Sequence, residues 1–337
     1  MERPDILIDN YGRQITYLRV SVTDRCNLRC IYCMPREGIP LLPREKILSY
    51  EEIIKVIKVA FRLGITNFRI TGGEPLVRSG IVNFLENVLK TAGVKPAPAK
   101  AGSGGSVSLT TNGLLLKQYT PQLKKLKLGG INISLNSLSE DNFQRLTGVK
   151  GLQIVRNGIE ALLKEGFNNL KINTVVIRGF NDMEIIDFAR LTIDRPVTVR
   201  FIEYMPCGIW PNQPVHRVVS AEEIINRLKV LGEILPVNKP IGYGPARYYQ
   251  ISGAQGIIGF ITAVSQPFCA DCNRLRLTAD GYLKSCLLSP DTIDLKPILR
   301  SGSDSSGMLK NAFIQAAALK PKSHQKEILA PMSRIGG

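Results

Sequence analysis

Six runs of strand length, TYLRVSV, NFRIT, SVSLTT, INISLN, LKINTVVI and VTVRFIEYM, alternate with amphipathic segments of helix length over the first 230 or so residues. This alternation constrains the fold most, because parallel strands need long crossovers and a helix in each crossover generates βα units. The helical segments are SYEEIIKVIKVAFRLG, with Ser49 as N-cap and Gly64 as C-cap, then GIVNFLENVLKTAG, LLLKQYTPQLKKLKLGG, GLQIVRNGIEALLKEG and DMEIIDFARLTI. Six repeats fall short of a closed eight-stranded barrel. The expected fold is therefore α/β, a partial TIM-type barrel of (β/α)6 form with its ligand site at the C-terminal ends of the strands. From about Leu235 the alternation fades into a Gly-rich region, so a core over residues 1–234 and a smaller C-terminal lobe over 235–337 are expected. The segment VKPAPAKAGSGGS, residues 94–106, reads as a flexible surface loop interrupting the third unit.

Composition narrows the class of function. The opening MERPDILIDN carries no apolar run, and stretches such as IIGFITAV are too short to span a bilayer, so a cytoplasmic protein with no membrane partner is expected. In a reducing compartment, clustered cysteines are metal ligands or redox groups rather than disulfides. The net charge of +16 suits an anionic partner without choosing among nucleotide, nucleic acid and membrane surface. No block of five like charges occurs, so a generally basic surface or a polyphosphate ligand accounts for the excess as well as a nucleic acid would. His216 and His324 are the only histidines, which argues against a His-centred triad.

Of seven cysteines, six fall into two triplets. Cys26, Cys30 and Cys33 follow the first strand directly, which puts three thiols at its C-terminal end. Iron–sulfur clusters are normally held by four cysteines, so a three-cysteine loop would leave one iron open. A structural zinc missing one ligand is the alternative. The second triplet, Cys269, Cys272 and Cys286, again offers three thiols. Here too a cluster with an open iron competes with a zinc closed by a carboxylate or a remote histidine. Arg274 and Arg276 place two guanidiniums beside it, able to bind phosphate oxygens in bidentate fashion. Cys207 is left over and reads as an ordinary thiol.

Cys26-x3-Cys30-x-Tyr32-Cys33 after one strand and Thr71-Gly72-Gly73-Glu74-Pro75 after the next resemble the radical S-adenosylmethionine (SAM) superfamily. A Gly-Gly turn there lets backbone approach the methionyl part of a bound cofactor. The resemblance implies that Tyr32, Gly73, Ser134 and Met205 contact SAM. With both triplets and the terminal Ile335-Gly336-Gly337, the chain resembles the GTP 3',8-cyclase family of molybdenum cofactor biosynthesis over nearly its whole length. Segments carrying that likeness include LTTNG, KINTVVIRG and SVSQPFCADCNRLRL.

That family resemblance implies a lyase with two [4Fe-4S] clusters and SAM, converting GTP to (8S)-3',8-cyclo-7,8-dihydroguanosine 5'-triphosphate through a 5'-deoxyadenosyl radical. It implies GTP contacts at Arg19, Arg69, Thr110, Lys171, Arg274 and Arg276. It implies catalytic roles for Arg274, Arg276, Gly336 and Gly337, a homodimer, an unspecified reductant, and a downstream cyclic pyranopterin monophosphate synthase. Two features depart from the family pattern: Asn136 stands where an Asp commonly follows Ser-Leu, and the loop near residue 100 reads as an insertion. The rival readings are another radical SAM enzyme, acting on peptide or RNA, and a non-enzymatic iron–sulfur carrier.

Overall fold

The first strand, β1 (Tyr17–Ser21), is buried on both faces, with Leu18 and Val20 on one and Tyr17, Arg19 and Ser21 on the other. The same alternation of Arg with apolar residues recurs in β2 (Asn67–Thr71), where Phe68 and Ile70 flank Arg69. In a strand, successive side chains point to opposite faces. One face of the sheet is thus apolar and covered by helices, and the other carries guanidiniums into the interior.

The computed structural model describes residues 6–91, 106–205, 215–237, 244–302, 305–324 and 335. All six expected strands form: β1 and β2 are joined by β3 (Ser106–Thr111), β4 (Gly130–Ser134), β5 (Leu170–Val176) and β6 (Thr198–Glu203), each parallel to the one before. Helices α1 (Tyr50–Arg62), α2 (Ile81–Thr91), α3 (Leu116–Lys125), α4 (Glu140–Thr147), α5 (Leu152–Lys164) and α6 (Ile185–Arg190) lie between them. The eight-residue α4, closed by Gly148 in the left-handed conformation, is absent from the sequence reading. It is too short to present a repeating apolar stripe.

The start of α1 follows from its sequence. Ser49 Oγ accepts from the Glu52 N–H (3.2 Å) while the Glu52 carboxylate accepts from the Ser49 N–H (2.7 Å), a reciprocal capping box. Ile53, Val56, Ile57 and Ala60 recur at helical spacing and are fully buried. The helix ends at Arg62 with Leu63 as its C-cap, and the next residue, Gly64, takes φ +81°, so the glycine lies one place beyond the cap.

After β6 come α7 (Ala221–Leu228), β7 (Ile234–Pro236), β8 (Arg247–Ile251) and β9 (Ile257–Ile261). They are followed by β10 (Arg274–Leu277), β11 (Tyr282–Lys284), β12 (Thr292–Asp294), α8 (Lys296–Leu299) and α9 (Ser306–Ala318). Among the described residues these strands form no sheet of their own. β9 pairs parallel with β6, and β10 pairs parallel with β1, so the later residues extend the first six strands at both edges. The sheet of twelve strands runs β12-β11-β10-β1-β2-β3-β4-β5-β6-β9-β8-β7. Its central eight strands are parallel, as many as in a TIM barrel, yet it stays open between β9 and β10. Residues 262–273, which carry Cys269 and Cys272, connect those two edges.

Candidate active site

All parallel strands share one direction, so the two cysteine triplets occupy opposite ends. Cys26, Cys30 and Cys33 follow the C-terminal end of β1. Cys269 and Cys272 precede β10, and Cys286 follows β11, which runs antiparallel to β10 and so returns to its N-terminal end. A five-residue strand spans about 16 Å, which sets the scale of their separation. One cavity of about 360 Å³ is lined by all six of these cysteines. That volume lies within the range of small-molecule sites.

At the upper end, the Cys33 N–H donates to the Cys30 carbonyl (2.8 Å) and the Leu28 N–H to Cys26 Sγ (3.4 Å). Burial is the first cause that pushes the Cys26 thiol up to about 11 and the Cys30 thiol up to about 12. Such thiols are poor thiolates alone and become ligands when a bound cation compensates their charge. Three soft donors in one half-buried loop fit an iron–sulfur cluster. Among the described residues, no three Cys, His, Asp or Glu side chains converge as ligands of a single ion.

Tyr32, Gly73, Ser134 and Met205 all line this cavity. The glycines have a reason within the chain itself. A Cβ on Gly73 would lie 2.3 Å from the Arg25 carbonyl oxygen, and one on Gly72 would lie 2.8 Å from that of Thr23. The Gly73 N–H donates to Thr23 O (2.7 Å) and the Glu74 N–H to Arg25 O (2.8 Å), so this turn is moulded onto the cysteine loop. Glu74 turns away and accepts from Leu76 N–H, Thr111 Oγ1 and Asn112 N–H, tying the ends of β2 and β3. Burial raises its carboxyl to about 7 against those three donors. The Asn136 side-chain oxygen accepts from the Val175 N–H (2.8 Å), which fixes the amide so that its NH2 donates to the Tyr32 hydroxyl.

Lower in the cavity, strand register aligns Arg276, Arg19 and Arg69 side by side on β10, β1 and β2. Neighbouring strands lie about 4.8 Å apart, so three guanidiniums share one layer. Burial first, and Arg276 second, hold Arg19 well below its ordinary value. Burial and then Arg274 bring Arg276 to about 10. Arg69 Nε donates to the Tyr17 hydroxyl, and Arg274 lies over the Phe268 ring at 4.9 Å. Buried like charges are costly until an anion offsets them. Thr110 Oγ1 and Ser285 Oγ line the same cavity, buried and without a hydrogen-bond partner among the described residues. These unsatisfied hydroxyls fit a polar ligand.

Lys171 is placed differently from the other expected contacts. On β5 it shares the face of Asn173 and Val175, which line the cavity, but lies deeper than the lining, its ammonium on Asn169 Oδ1. Burial first, then Arg200 and Arg69, lower it to about 6. Gly336, Gly337, Cys207 and nearly all of the loop near residue 100 lie outside the described residues.

Arg200, Lys320 and His324 are lining residues that the sequence reading does not assign to the site. Arg200, on β6, donates to Asn173 Oδ1 (2.9 Å) and to Asn132 Oδ1. Its signal was an arginine at an inward position of an otherwise apolar strand. Lys320 and His324, beyond α9, reach Cys272 and Cys269, and no local pattern marks them. Burial opposes ionisation of Cys272, but Arg274 and then Lys320 outweigh it and bring the thiol to about 7.

Comparison with known proteins decides the family. The sequence matches the Radical SAM superfamily over residues 20–192 and the Molybdenum Cofactor Synthesis C family over residues 197–326. It is 47% identical to the GTP 3',8-cyclase of Geobacter sulfurreducens, covering 98% of this chain and 99% of that one. It is 44% identical to the GTP 3',8-cyclase of Thermodesulfovibrio yellowstonii over the same shares. The chain belongs to the GTP 3',8-cyclase family.

Membership of this radical SAM family brings a [4Fe-4S] cluster and SAM binding with it. The fold is also similar to that of Streptococcus suis SuiB bound to S-adenosylmethionine, with TM-score 0.57 and 16% identity over 89% of this chain and 69% of that one. At that identity the likeness bears on the fold alone, an open α/β barrel. Among the described residues, no helix is long and apolar enough to cross a membrane.

Proposed function

We propose that this cavity is the chamber in which GTP is cyclised to (8S)-3',8-cyclo-7,8-dihydroguanosine 5'-triphosphate, an early step of molybdenum cofactor biosynthesis. The observation that carries the reading is one cavity with a cysteine triplet at each end and a row of arginines between them. Cys26, Cys30 and Cys33 would hold the first cluster, and Tyr32, Gly73, Ser134 and Met205, which line the same cavity, would hold SAM. When bound, the cluster and SAM would supply a 5'-deoxyadenosyl radical able to take the hydrogen from C3' of the ribose; bonding of C3' to C8 leaves the base one electron and one proton short of the 7,8-dihydro product, and the unspecified reductant and solvent would supply these.

The chain's own contribution is placement. Arg19, Arg69, Arg274 and Arg276 offer paired N–H donors in the geometry that triphosphate oxygens accept. Thr110 adds a hydroxyl, and Lys171 adds a deeper donor that an approaching anion recharges. Cys269, Cys272 and Cys286 would hold a second cluster, which would supply a Lewis-acidic site for the guanine end of the substrate. Residues 235–337, the smaller C-terminal part of the chain, carry this second site. Family likeness alone supports three further assignments: catalytic roles for Gly336 and Gly337, a homodimer, and delivery of the product to a cyclic pyranopterin monophosphate synthase.

The test is anaerobic reconstitution with iron and sulfide, then dithionite, SAM and GTP. About eight irons per chain and GTP-dependent release of 5'-deoxyadenosine are expected. Release independent of GTP would sink the substrate assignment, and SAM cleavage surviving Cys26→Ser would sink the first cluster site.

A further inference from the structure

The short segment beyond α9 folds back over the second cysteine triplet. Lys320 is 3% exposed, and its ammonium donates to Cys272 Sγ (3.3 Å), Arg274 O (2.8 Å) and Ser285 O (3.0 Å). All three of its protons are thus placed. His324 sets Nδ1 3.1 Å from Cys269 Sγ, and its backbone N–H donates to the same sulfur at 3.4 Å.

The segment is tied down from the other side. Arg13, paired with buried Asp9, donates to Cys269 O (2.6 Å), Pro321 O (2.8 Å) and Lys322 O (3.4 Å). Asn10 donates to Ala318 O (3.0 Å). A lysine buried beside Arg13 is costly unless anions lie close by, and here the anions are the sulfurs of Cys272 and Cys286.

We infer that Lys320 and His324 are positioning residues of the second cysteine site, donating onto the sulfurs of Cys272 and Cys269 and raising the electron affinity of the group held there. The inference rests on reading that triplet as an iron–sulfur site. A ligating thiolate only accepts, so His324 takes the tautomer with the proton on Nδ1. Cations and N–H donors at cluster sulfurs favour the reduced state, so both residues move the potential upward.

The experiment uses the full chain with Cys26, Cys30 and Cys33 changed to Ser, which isolates the second site. It reads iron content and midpoint potential by redox titration followed by electron paramagnetic resonance. About four irons are expected. Lys320→Met and His324→Leu should each shift the midpoint downward at unchanged iron content, and Lys320→Arg should recover most of the first shift. His324→Leu keeps the backbone donor and lies on a half-buried side chain, so it stands as a second variant should Lys320→Met misfold. No iron in this background would overturn both the inference and the second cluster. Four irons with an unmoved midpoint would overturn the inference alone. Loss of iron in His324→Leu at intact fold would make His324 a ligand and overturn its role as donor.

Discussion

Gly73→Ala tests the idea that the turn after β2 is moulded onto the cysteine loop. The added Cβ would meet Arg25 O at 2.3 Å, Arg25 C at 2.7 Å and Asp24 O at 2.9 Å, more than 1 Å inside ordinary contact in the first case. All three are backbone atoms, so no side chain can swing aside. Overpacking of this kind costs about 1–3 kcal/mol. Separating the two backbones also weakens the bonds from Gly73 N–H to Thr23 O and from Glu74 N–H to Arg25 O, at about 1 kcal/mol each. The expected loss is about 3–5 kcal/mol, a large share of the 5–15 kcal/mol typical of a whole protein. Urea unfolding of metal-free protein, followed by circular dichroism, should show a lower midpoint at unchanged slope. Gly307→Ala is the control, because a Cβ there meets nothing within 4 Å and Gly307 lies within α9. It should gain about 0.5–1 kcal/mol. A Gly73→Ala protein within about 1 kcal/mol of the parent would refute the steric argument.

Lys171 has a folded pKa of about 6, below its ordinary 10.5, so the unfolded chain binds more protons between those values and stability rises with pH across that window. Its slope of up to about 1.4 kcal/mol per pH unit should vanish in Lys171→Met, as denaturant midpoints from pH 6 to 10 would show. Arg19→Met removes the middle charge of the three-arginine row. Ligand-free stability should hold or rise while GTP affinity, read by equilibrium dialysis, falls at least about tenfold, corresponding to about 1.4 kcal/mol. Equal loss of both would contradict the repulsion argument. Ser49→Ala deletes half of the α1 capping box and should cost about 1 kcal/mol in urea unfolding, with no change in iron content.

The first six strands and the first cysteine loop were legible because their signals are local: apolar runs of strand length, a capping box, three thiols within eight residues. β9 and β10 were not. IIGFI and RLRL are short, and nothing in either announces that its partner is β6 or β1, the two edges of a sheet begun many residues earlier. Arg19, Arg69, Arg274 and Arg276 were individually visible and Arg200 was not, but the alignment of Arg276, Arg19 and Arg69 in one layer is a matter of register, which sequence spacing alone leaves open. For Gly72 and Gly73 the residue type was informative, while the contact that demands it is with Thr23 and Arg25, some fifty positions away. Lys320 and His324 act across 48 and 55 residues, with no periodicity to betray them.

The pairing of β9 and β10 onto opposite edges also bears on how the chain is made. A ribosome releases β1 through β6 long before β10 exists, and until residue 274 emerges the inner strand β1 is an apolar parallel edge with open N–H and C=O groups. The last quarter of the gene therefore encodes the shielding of the first. A product truncated before residue 257 would present two adhesive edges at once, so nonsense mutations late in the reading frame should yield insoluble protein rather than a soluble half-enzyme.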